Sequence, residues 1–311
     1  MHSSQRSLHL KGAFTALVTP FTADNEVDER AFRRFVEWQI EDGIDGLVPC
    51  GTTGESPTLS SAERDKVIDI TIELARTRAN GRHVPVIAGT GLNDTAATIA
   101  ATRRAAALGA DAALVVTPYY NKPDQRMLEA HYRAVAEEGD LPIVVYNVPS
   151  RTNVNVEAAT LLRIAEHPRV IAVKEASANL DQIQTILRNR RPGFSVLSGD
   201  DSWTLTVMIH GGEGIISVAS NEIPGPMTAL CAAARSGNWD EARRLHDQYL
   251  ALFRVNFIAV NPTPVKAALA QMGLIENRVR GPLLPLTEAH ATQVEAVLRE
   301  AGLARMVEAA R

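Results

Sequence analysis

A lysine interrupts an apolar run in the stretch VIAVKEAS, residues 170–177. The chain has five lysines among 32 basic residues, and Lys174 alone lies within the β-branched pattern of a buried strand. A lysine ammonium that leaves water loses hydration, so burial lowers the pKa of such a group and frees a neutral amine to attack a carbonyl carbon. Arginine cannot do this, because it does not deprotonate. The stretch therefore indicates a Schiff-base lysine, and an ion pair with Glu175 or Asp200 is the alternative.

The stretch CGTTGES, residues 50–56, combines two glycines with the adjacent hydroxyls of Thr52 and Thr53. Glycines free the backbone, and a turn of this kind can hold a carboxylate on its exposed N–H groups. The alternative is a plain turn before a helix that Ser60 caps. No Gly-Lys-Thr/Ser follows, so the stretch is not a Walker loop.

Three of the five tyrosines, Tyr119, Tyr120 and Tyr146, lie where apolar runs end. A phenol near an iminium ion can pass protons, because the positive charge stabilises a transient phenolate; amphipathic packing is the alternative. Arg151 follows in a Pro-Ser-Arg-Thr loop. It is either a solvated surface residue or, if it faces the same cavity, a bidentate clamp for a carboxylate.

Other chemistries lack their motifs. The eight histidines show no metal-ligand spacing, Cys50 and Cys231 stand far apart, and no Gly-x-Ser-x-Gly elbow occurs. We therefore predict no metal site. The acidic stretches SGDD and SVASNE, residues 198–201 and 217–222, disfavour a phosphorylated substrate. The chemistry that remains is catalysis by an amine that acts on a carbonyl compound carrying carboxylate groups.

Eight short apolar runs alternate with amphipathic stretches, and we predict that each run is a strand. The runs are Phe14–Thr19, Gly46–Cys50, Val84–Gly89, Ala112–Thr117, Leu141–Asn147, Val170–Lys174, Phe194–Ser198 and Gly214–Val218. Continuous hydrophobic strands separated by helices indicate a parallel sheet that is covered on both faces.

This pattern predicts an α/β fold, an eight-stranded parallel β/α (TIM) barrel with a C-terminal helical appendix. A doubly wound open sheet is the alternative, but no glycine fingerprint follows the first run. After Ser220 the strand pattern stops and three helical stretches follow. We predict a catalytic barrel over residues 1–235 and a helical region over residues 236–311.

The bulk composition is that of an ordinary globular protein. The 311 residues are 45% hydrophobic, and the formal net charge of −4 includes no basic tract, so nucleic acid is not an expected partner. The first residues lack the apolar core of a signal peptide, and no stretch is long and apolar enough to cross a bilayer. We expect a cytoplasmic protein with no membrane partner.

Taken in order, the motifs GTTGES, TPYYNKP, YNVPSRT, VKEAS, SGDD and GIISV resemble those of the dihydrodipicolinate synthase group. This group belongs to the pyruvate-dependent class I aldolase family, which includes N-acetylneuraminate lyase. The similarity runs from about Gly12 to the last helices and includes the stretch NPTPVK, residues 261–266.

The resemblance implies a lyase that condenses pyruvate with L-aspartate 4-semialdehyde to 4-hydroxy-tetrahydrodipicolinate, for lysine and diaminopimelate synthesis. It implies a Schiff base between pyruvate and Lys174, and no metal or organic cofactor. It implies that Tyr146, Thr52 and Tyr120 transfer protons. It also implies that Thr53 and the Ile216 carbonyl bind the pyruvate carboxylate, and that Arg151 binds the carboxylate of the aldehyde.

The same resemblance implies a homotetramer built as a dimer of dimers, in which Tyr120 reaches the site of the neighbouring subunit. Feedback-inhibited members bind L-lysine near the positions of Ser56, Ser61, Arg64, Asn93, Ala97 and Tyr119. Some of those members carry histidines and a glutamate where this chain has Ser61, Arg64 and Ala97. Because an ammonium ligand loses an anionic partner here and meets an added cation, we expect weak or absent inhibition by lysine.

Two other functions stay open at this point. Another family activity, an aldolase, lyase or dehydratase acting on a sugar acid, would use the same lysine. It would need hydroxyl partners rather than the cation of Arg151. The second alternative is a catalytically silent barrel that senses 2-keto acids, which the intact set of reactive positions disfavours.

Overall fold

The computed structural model describes residues 8–303 of the chain. Within them, eight strands form one parallel sheet. The strands are β1 (Gly12–Ala16), β2 (Gly46–Val48), β3 (Ile87–Gly89), β4 (Ala112–Val116), β5 (Ile143–Asn147), β6 (Val170–Glu175), β7 (Ser195–Ser198) and β8 (Gly214–Ser217). Each strand lies within or overlaps one of the eight predicted runs, so the predicted strand count is confirmed for this part of the chain.

Helices alternate with the strands along the chain, and the last helices follow β8, the final strand. They are α1 (Glu29–Glu41), α2 (Ser61–Thr77), α3 (Thr95–Leu108), α4 (Gln125–Glu138), α5 (Pro149–Thr152), α6 (Ala158–Ile164), α7 (Leu180–Asn189), α8 (Thr204–Ile209), α9 (Pro224–Arg235), α10 (Trp239–Val255), α11 (Thr263–Gln271) and α12 (Glu288–Glu300).

The sheet closes on itself as a barrel. Its strand order is β2-β1-β8-β7-β6-β5-β4-β3, which leaves β2 and β3 at the two ends. The Leu47 N–H donates to the Pro85 carbonyl at 3.0 Å and the Gly89 N–H donates to the Pro49 carbonyl at 2.9 Å, so these ends also meet. The predicted β/α barrel is confirmed, and the open doubly wound sheet is wrong.

Alternation along the strands separates two cores. One cluster fills the barrel interior and includes Phe14, Val144, Ala172 and Ile216. A larger cluster lies between the outer face of the sheet and the surrounding helices. A residue two positions from an interior residue on the same strand therefore also faces the interior.

The helix ends follow capping rules. In α2, the Ser60 hydroxyl accepts the Glu63 N–H and the Glu63 carboxylate accepts the Ser60 N–H, which is a capping box. Asp94 caps α3 at its start, and Gly109 ends that helix in the left-handed region at φ 96°. These caps fix where α2 and α3 begin and where α3 ends.

The first predicted strand differs most in its ends. The run Phe14–Thr19 was expected, whereas β1 begins at Gly12 and ends at Ala16. Gly12 has a φ of 98° and resembles a breaker in sequence, yet its N–H donates to the Glu213 carbonyl and joins the ladder. Residues 17–19 are buried and follow the strand. The Leu17 N–H still donates to the Val48 carbonyl of β2, whereas the Val18 N–H donates to the Asn221 side chain and the Thr19 carbonyl accepts from Lys266.

The C-terminal helices form the predicted appendix. Helix α10 packs against α9, and α12 packs against α10 and α11. Helix α9 ends at Arg235, where the domain division was placed, but the division itself stays a prediction. The terminal residues 1–7 and 304–311 of the two predicted domains lie outside the described residues. None of the described helices has the length and apolarity that a membrane crossing requires.

Candidate active site

Lys174 faces the barrel interior near the carboxyl end of β6. It lies two positions after Ala172, and its side chain is buried with 4% exposure. Its neighbours across the ladder are Tyr146 on β5 and Leu197 on β7. The Lys174 Nζ atom lies 4.4 Å from the centre of the Tyr146 ring. The lysine and the predicted proton-transfer tyrosine are therefore brought together.

Glu175 follows Lys174 directly but faces the opposite side of the sheet. Its carboxylate accepts the Ser177 N–H at 2.7 Å and the Asn147 side-chain amide at 3.1 Å. Burial raises the pKa of this carboxyl group. Strand alternation thus explains how the chain buries both residues side by side without pairing them.

Asp200 does not pair with the lysine either. Its carboxylate accepts the N–H and the hydroxyl of Ser202 at 2.9 and 2.7 Å. Over residues 8–303, no carboxylate oxygen lies within 4.0 Å of the Lys174 Nζ atom. The alternative that Lys174 serves as half of an ion pair is therefore wrong for the described part of the chain.

The Lys174 side chain opens onto a cavity of about 340 Å³, here called the lysine cavity. Its wall includes Thr53, Tyr146, Arg151 and Asn261. Gly199 also lies in this wall, and a Cβ atom there would come within 2.7 Å of the Ala176 Cβ and 3.2 Å of the Lys174 Cγ. The glycine therefore leaves room for the lysine side chain to reach the cavity.

A second cavity of about 260 Å³ adjoins the first and is here called the side cavity. Thr52 lines it, and Tyr146 and Arg151 line both cavities. Thr52 and Thr53, which are adjacent in sequence, therefore serve different cavities on either side of Tyr146. The predicted Thr52–Tyr146 hydroxyl relay matches this placement but stays a prediction.

The CGTTGES stretch forms a strained turn after β2. Cys50 and Glu55 lie in the left-handed region, with φ of 57° and 54°, which is costly for residues other than glycine. A Cβ atom on Gly54 would lie 3.0 Å from the Leu17 carbonyl oxygen, so the turn packs closely there. Among the described residues, neither the Thr52 nor the Thr53 N–H has a backbone or side-chain acceptor. The turn therefore offers the N–H donors that a carboxylate site needs.

Arg151 lies in α5, the single helical turn that follows β5. Its side chain is exposed at the mouth of the two cavities. The sequence left a surface arginine and a substrate clamp as alternatives, and the structure places the guanidinium where a cavity ligand can reach it.

Tyr120 lies apart from these residues within its own chain. It is 89% exposed, with a φ of 74°, and extends from the loop after β4. Tyr119, in contrast, lines the side cavity. The expectation that Tyr120 serves a neighbouring subunit agrees with this exposure and stays a prediction.

Ile216 is fully buried in the barrel interior on β8. Val218, two residues later, lines the lysine cavity. The Asp201 carboxylate accepts the Val218 and Ala219 N–H groups at 3.1 Å each and so fixes this strand exit. The role predicted for the Ile216 carbonyl is not decided by these contacts.

Two contacts near the site are not predicted by the sequence. Asn261 lies in the lysine-cavity wall and donates to the Thr53 hydroxyl at 3.0 Å. Lys266 is completely buried and donates to the Glu55 carboxylate at 2.5 Å. The stretch NPTPVK is part of the family similarity, but nothing in its own pattern predicts that Lys266 is buried. In residues 8–303, no three His, Cys, Asp or Glu side chains are grouped so that they could hold a metal ion.

Comparison with known proteins gives one family. Residues 9–301 match the model of the dihydrodipicolinate synthetase family. A 4-hydroxy-tetrahydrodipicolinate synthase of Koribacter versatilis is 49% identical over 297 residues, covering 95% of this chain and 97% of the relative. The synthase of Syntrophus aciditrophicus is 50% identical and covers 94% of this chain and 99% of the relative.

A solved structure supports the same relationship. The crystal structure of dihydrodipicolinate synthase from Thermotoga maritima superimposes with a TM-score of 0.91 at 43% identity. The match covers 95% of this chain and all of that one. The chain belongs to the dihydrodipicolinate synthetase family.

Proposed function

We propose that the protein is a lyase that condenses pyruvate with L-aspartate 4-semialdehyde to give 4-hydroxy-tetrahydrodipicolinate. The observation that carries the proposal is the placement of Lys174. Its amine is buried beside the Tyr146 ring, has no carboxylate partner among the described residues, and opens onto a cavity that also contains Thr53 and Arg151. Relatives with 49% and 50% identity carry the name of this activity.

The first step is imine formation on Lys174. The neutral amine attacks the pyruvate keto carbon, and loss of the keto oxygen as water leaves an iminium ion. Tyr146 is placed to move the protons of this step, because its ring lies against the amine. The free N–H groups of the Thr52–Thr53 turn and the Thr53 hydroxyl receive the pyruvate carboxylate.

The second step forms the carbon–carbon bond. Loss of a methyl proton converts the iminium ion into an enamine, whose carbon attacks the aldehyde carbon of the semialdehyde. Arg151 at the cavity mouth pairs with the carboxylate of the semialdehyde and sets its orientation. The amine of the adduct then displaces the Lys174 nitrogen, which closes the ring and releases the lysine.

The lysine itself supplies the electron sink, so the proposed reaction requires no metal or organic cofactor. We place the protein in the cytoplasm, with small-molecule substrates and no nucleic-acid or membrane partner. We also propose a homotetramer made of two dimers, in which the exposed Tyr120 enters the partner subunit's side cavity and completes the hydroxyl relay with Thr52 and Tyr146.

The alternative is an aldolase, lyase or dehydratase that acts on a sugar acid through the same lysine. A polyol chain would need hydroxyl partners, whereas the cavity mouth presents the cation of Arg151 and the apolar side chains of Phe257 and Val260. These features favour a short substrate that ends in a carboxylate.

A coupled assay tests the proposal. Purified protein is given pyruvate with either L-aspartate 4-semialdehyde or longer sugar-acid aldehydes, and product formation is followed for the native chain and for Lys174→Ala. We expect activity with the semialdehyde only, abolished by the substitution. Faster turnover of a sugar acid would select the alternative.

A further inference from the structure

Asn261 joins the C-terminal region to the carboxylate-binding turn. It is 5% exposed, lies in the lysine-cavity wall, and its side-chain Nδ2 donates to the Thr53 Oγ1 atom at 3.0 Å. The two residues are separated by 208 positions in the chain. The contact therefore links the loop after β2 to the connection between α10 and α11.

This contact sets the direction of the Thr53 hydroxyl. A hydroxyl that accepts on one lone pair keeps its proton for another acceptor. Within the described residues, the Thr53 hydroxyl has no acceptor, and the Asn261 Oδ1 atom is buried without a partner. The Thr53 proton is thus left for a ligand oxygen in the cavity.

A second set of contacts joins the C-terminal region to the loop after β2. The Lys266 Nζ atom donates to the Glu55 carboxylate at 2.5 Å and to the Thr19 carbonyl at 2.8 Å. The other Glu55 oxygen accepts the Arg280 N–H at 2.9 Å. Glu55 lies two residues after Thr53 in the left-handed region, a conformation that persists only when its surroundings hold it.

The Phe21 ring packs against two of the charged side chains near Glu55. Its ring lies 4.2 Å from the Lys266 Nζ atom and 4.3 Å from the Arg280 guanidinium carbon. The C-terminal region therefore contacts the turn at Glu55 through paired charges and at Thr53 through one neutral hydrogen bond. Only the latter contact lines the lysine cavity.

We propose that Asn261 is a positioning residue that turns the Thr53 hydroxyl proton toward the pyruvate carboxylate. The inference rests on the proposed function and assigns a role to the C-terminal helical region. Asn261 acts through Thr53, so its removal weakens recognition of the carboxylate and leaves the amine chemistry of Lys174 intact. The Lys266–Glu55 pair keeps the two segments in register for this contact.

The test compares a keto acid with a ketone that lacks the carboxylate. Pyruvate and acetone are each reduced onto the protein with cyanoborohydride, and adduct formation on Lys174 is followed by mass spectrometry against ligand concentration. For Asn261→Ala we expect the half-saturating pyruvate concentration to rise about five- to tenfold, as for one lost hydrogen bond. Acetone trapping should stay within about twofold.

A double-mutant cycle separates positioning from general damage. Thr53→Val should weaken pyruvate trapping, and adding Asn261→Ala to Thr53→Val should cause little further loss, because the contact is already gone. Asn256→Ala is the matched control. It removes another buried amide of the same connection, one that donates to Glu222 at 2.7 Å, and should lower stability without changing the pyruvate-to-acetone preference.

Equal losses for pyruvate and acetone, an unchanged pyruvate response, or additive effects in the cycle would overturn the inference.

If Asn261→Ala does not fold, Asn261→Asp tests the same point. Its carboxylate can only accept, so it takes the Thr53 proton, and pyruvate trapping should fall more than about tenfold while acetone trapping persists. If the native protein does not trap pyruvate on Lys174, the proposed function fails and this inference falls with it. If every variant traps pyruvate as well as the native protein does, the inference about Asn261 fails and the proposed function stands.

Discussion

Tyr146 and Lys174 are paired residues on adjacent parallel strands, and the lysine amine lies 4.4 Å from the centre of the tyrosine ring. Both side chains face the barrel interior, because each lies two positions after an interior residue of its own strand. Their relative position is therefore fixed by the hydrogen-bond ladder between β5 and β6. The ladder therefore holds the proposed proton carrier beside the proposed nucleophile.

Tyr146→Phe tests the proton-transfer role. The substitution keeps the ring against the amine and removes only the hydroxyl, so packing in the barrel interior is retained. We expect turnover to fall about 100-fold or more, with a melting temperature close to that of the native protein. Steady-state kinetics and a thermal scan measure both. Native turnover in this variant would remove Tyr146 from the mechanism.

Arg151→Ala tests the clamp at the cavity mouth. Loss of a charged hydrogen-bond donor should raise KM for the semialdehyde about 10- to 100-fold, while KM for pyruvate changes little. Arg188→Ala is the matched control, because Arg188 is an exposed arginine in the last turn of α7, at the other end of the barrel. Equal changes in both KM values would argue against a specific role in binding the aldehyde.

His131 predicts a pH-dependent loss of stability. The side chain is 5% exposed, its Nδ1 atom contacts the Thr95 hydroxyl at 2.9 Å, and burial lowers the pKa of His131 to about 4. The unfolded chain, with a histidine pKa of about 6.5, takes up this proton first. Stability therefore falls as pH drops from 6.5 to 4, by about 2 to 3 kcal/mol between pH 7 and pH 4.5.

Urea unfolding of the native protein and of His131→Asn measures this difference. Asparagine can keep the contact with Thr95 but does not titrate. Burial raises the pKa of Asp201 to about 6, which gives an opposite trend in the same range, but Asp201 is present in both proteins and cancels in the comparison. Identical pH profiles for the two proteins would show that His131 does not titrate in this way.

The side cavity predicts a weak response to L-lysine. Arg64 lines this cavity, and its guanidinium donates to the Ser56 carbonyl at 2.8 Å. Ala97, at a position that the family resemblance places near the lysine site, supplies no anionic group. A cationic ligand would meet a like charge there, so we expect an inhibition constant above about 1 mM. Inhibition assays at fixed pyruvate measure it, and Ala97→Glu should strengthen inhibition. A sub-millimolar constant for the native chain would contradict the prediction.

The sequence predicted those parts of the molecule that depend on local pattern. Each strand is a short apolar run, and Lys174 stands out because it breaks one of these runs. Ladder register then brings it to Tyr146, an outcome that follows once the strands are known to be parallel neighbours. The wrong ends of β1 arose because Gly12 resembles a breaker and residues 17–19 continue the apolar pattern.

Long-range contacts could not be predicted in this way. Lys266 and Glu55 are 211 positions apart, and each looks like an ordinary surface residue in its own stretch. Their burial as a pair appears only when the C-terminal region packs on the turn after β2. The Asn261–Thr53 hydrogen bond could not be predicted for the same reason, and the one available signal was that the stretch NPTPVK is part of the family resemblance.

Reductive trapping tests the central claim most directly. The native protein is treated with borohydride in the presence of pyruvate, and the modified peptide is identified by mass spectrometry, with Lys174→Ala as the control. Lys266, which is also buried but faces the Glu55 carboxylate, serves as an internal comparison. We predict one reduced pyruvate adduct on Lys174 and none in the variant. An adduct on Lys266 instead, or no adduct at all, would contradict the account.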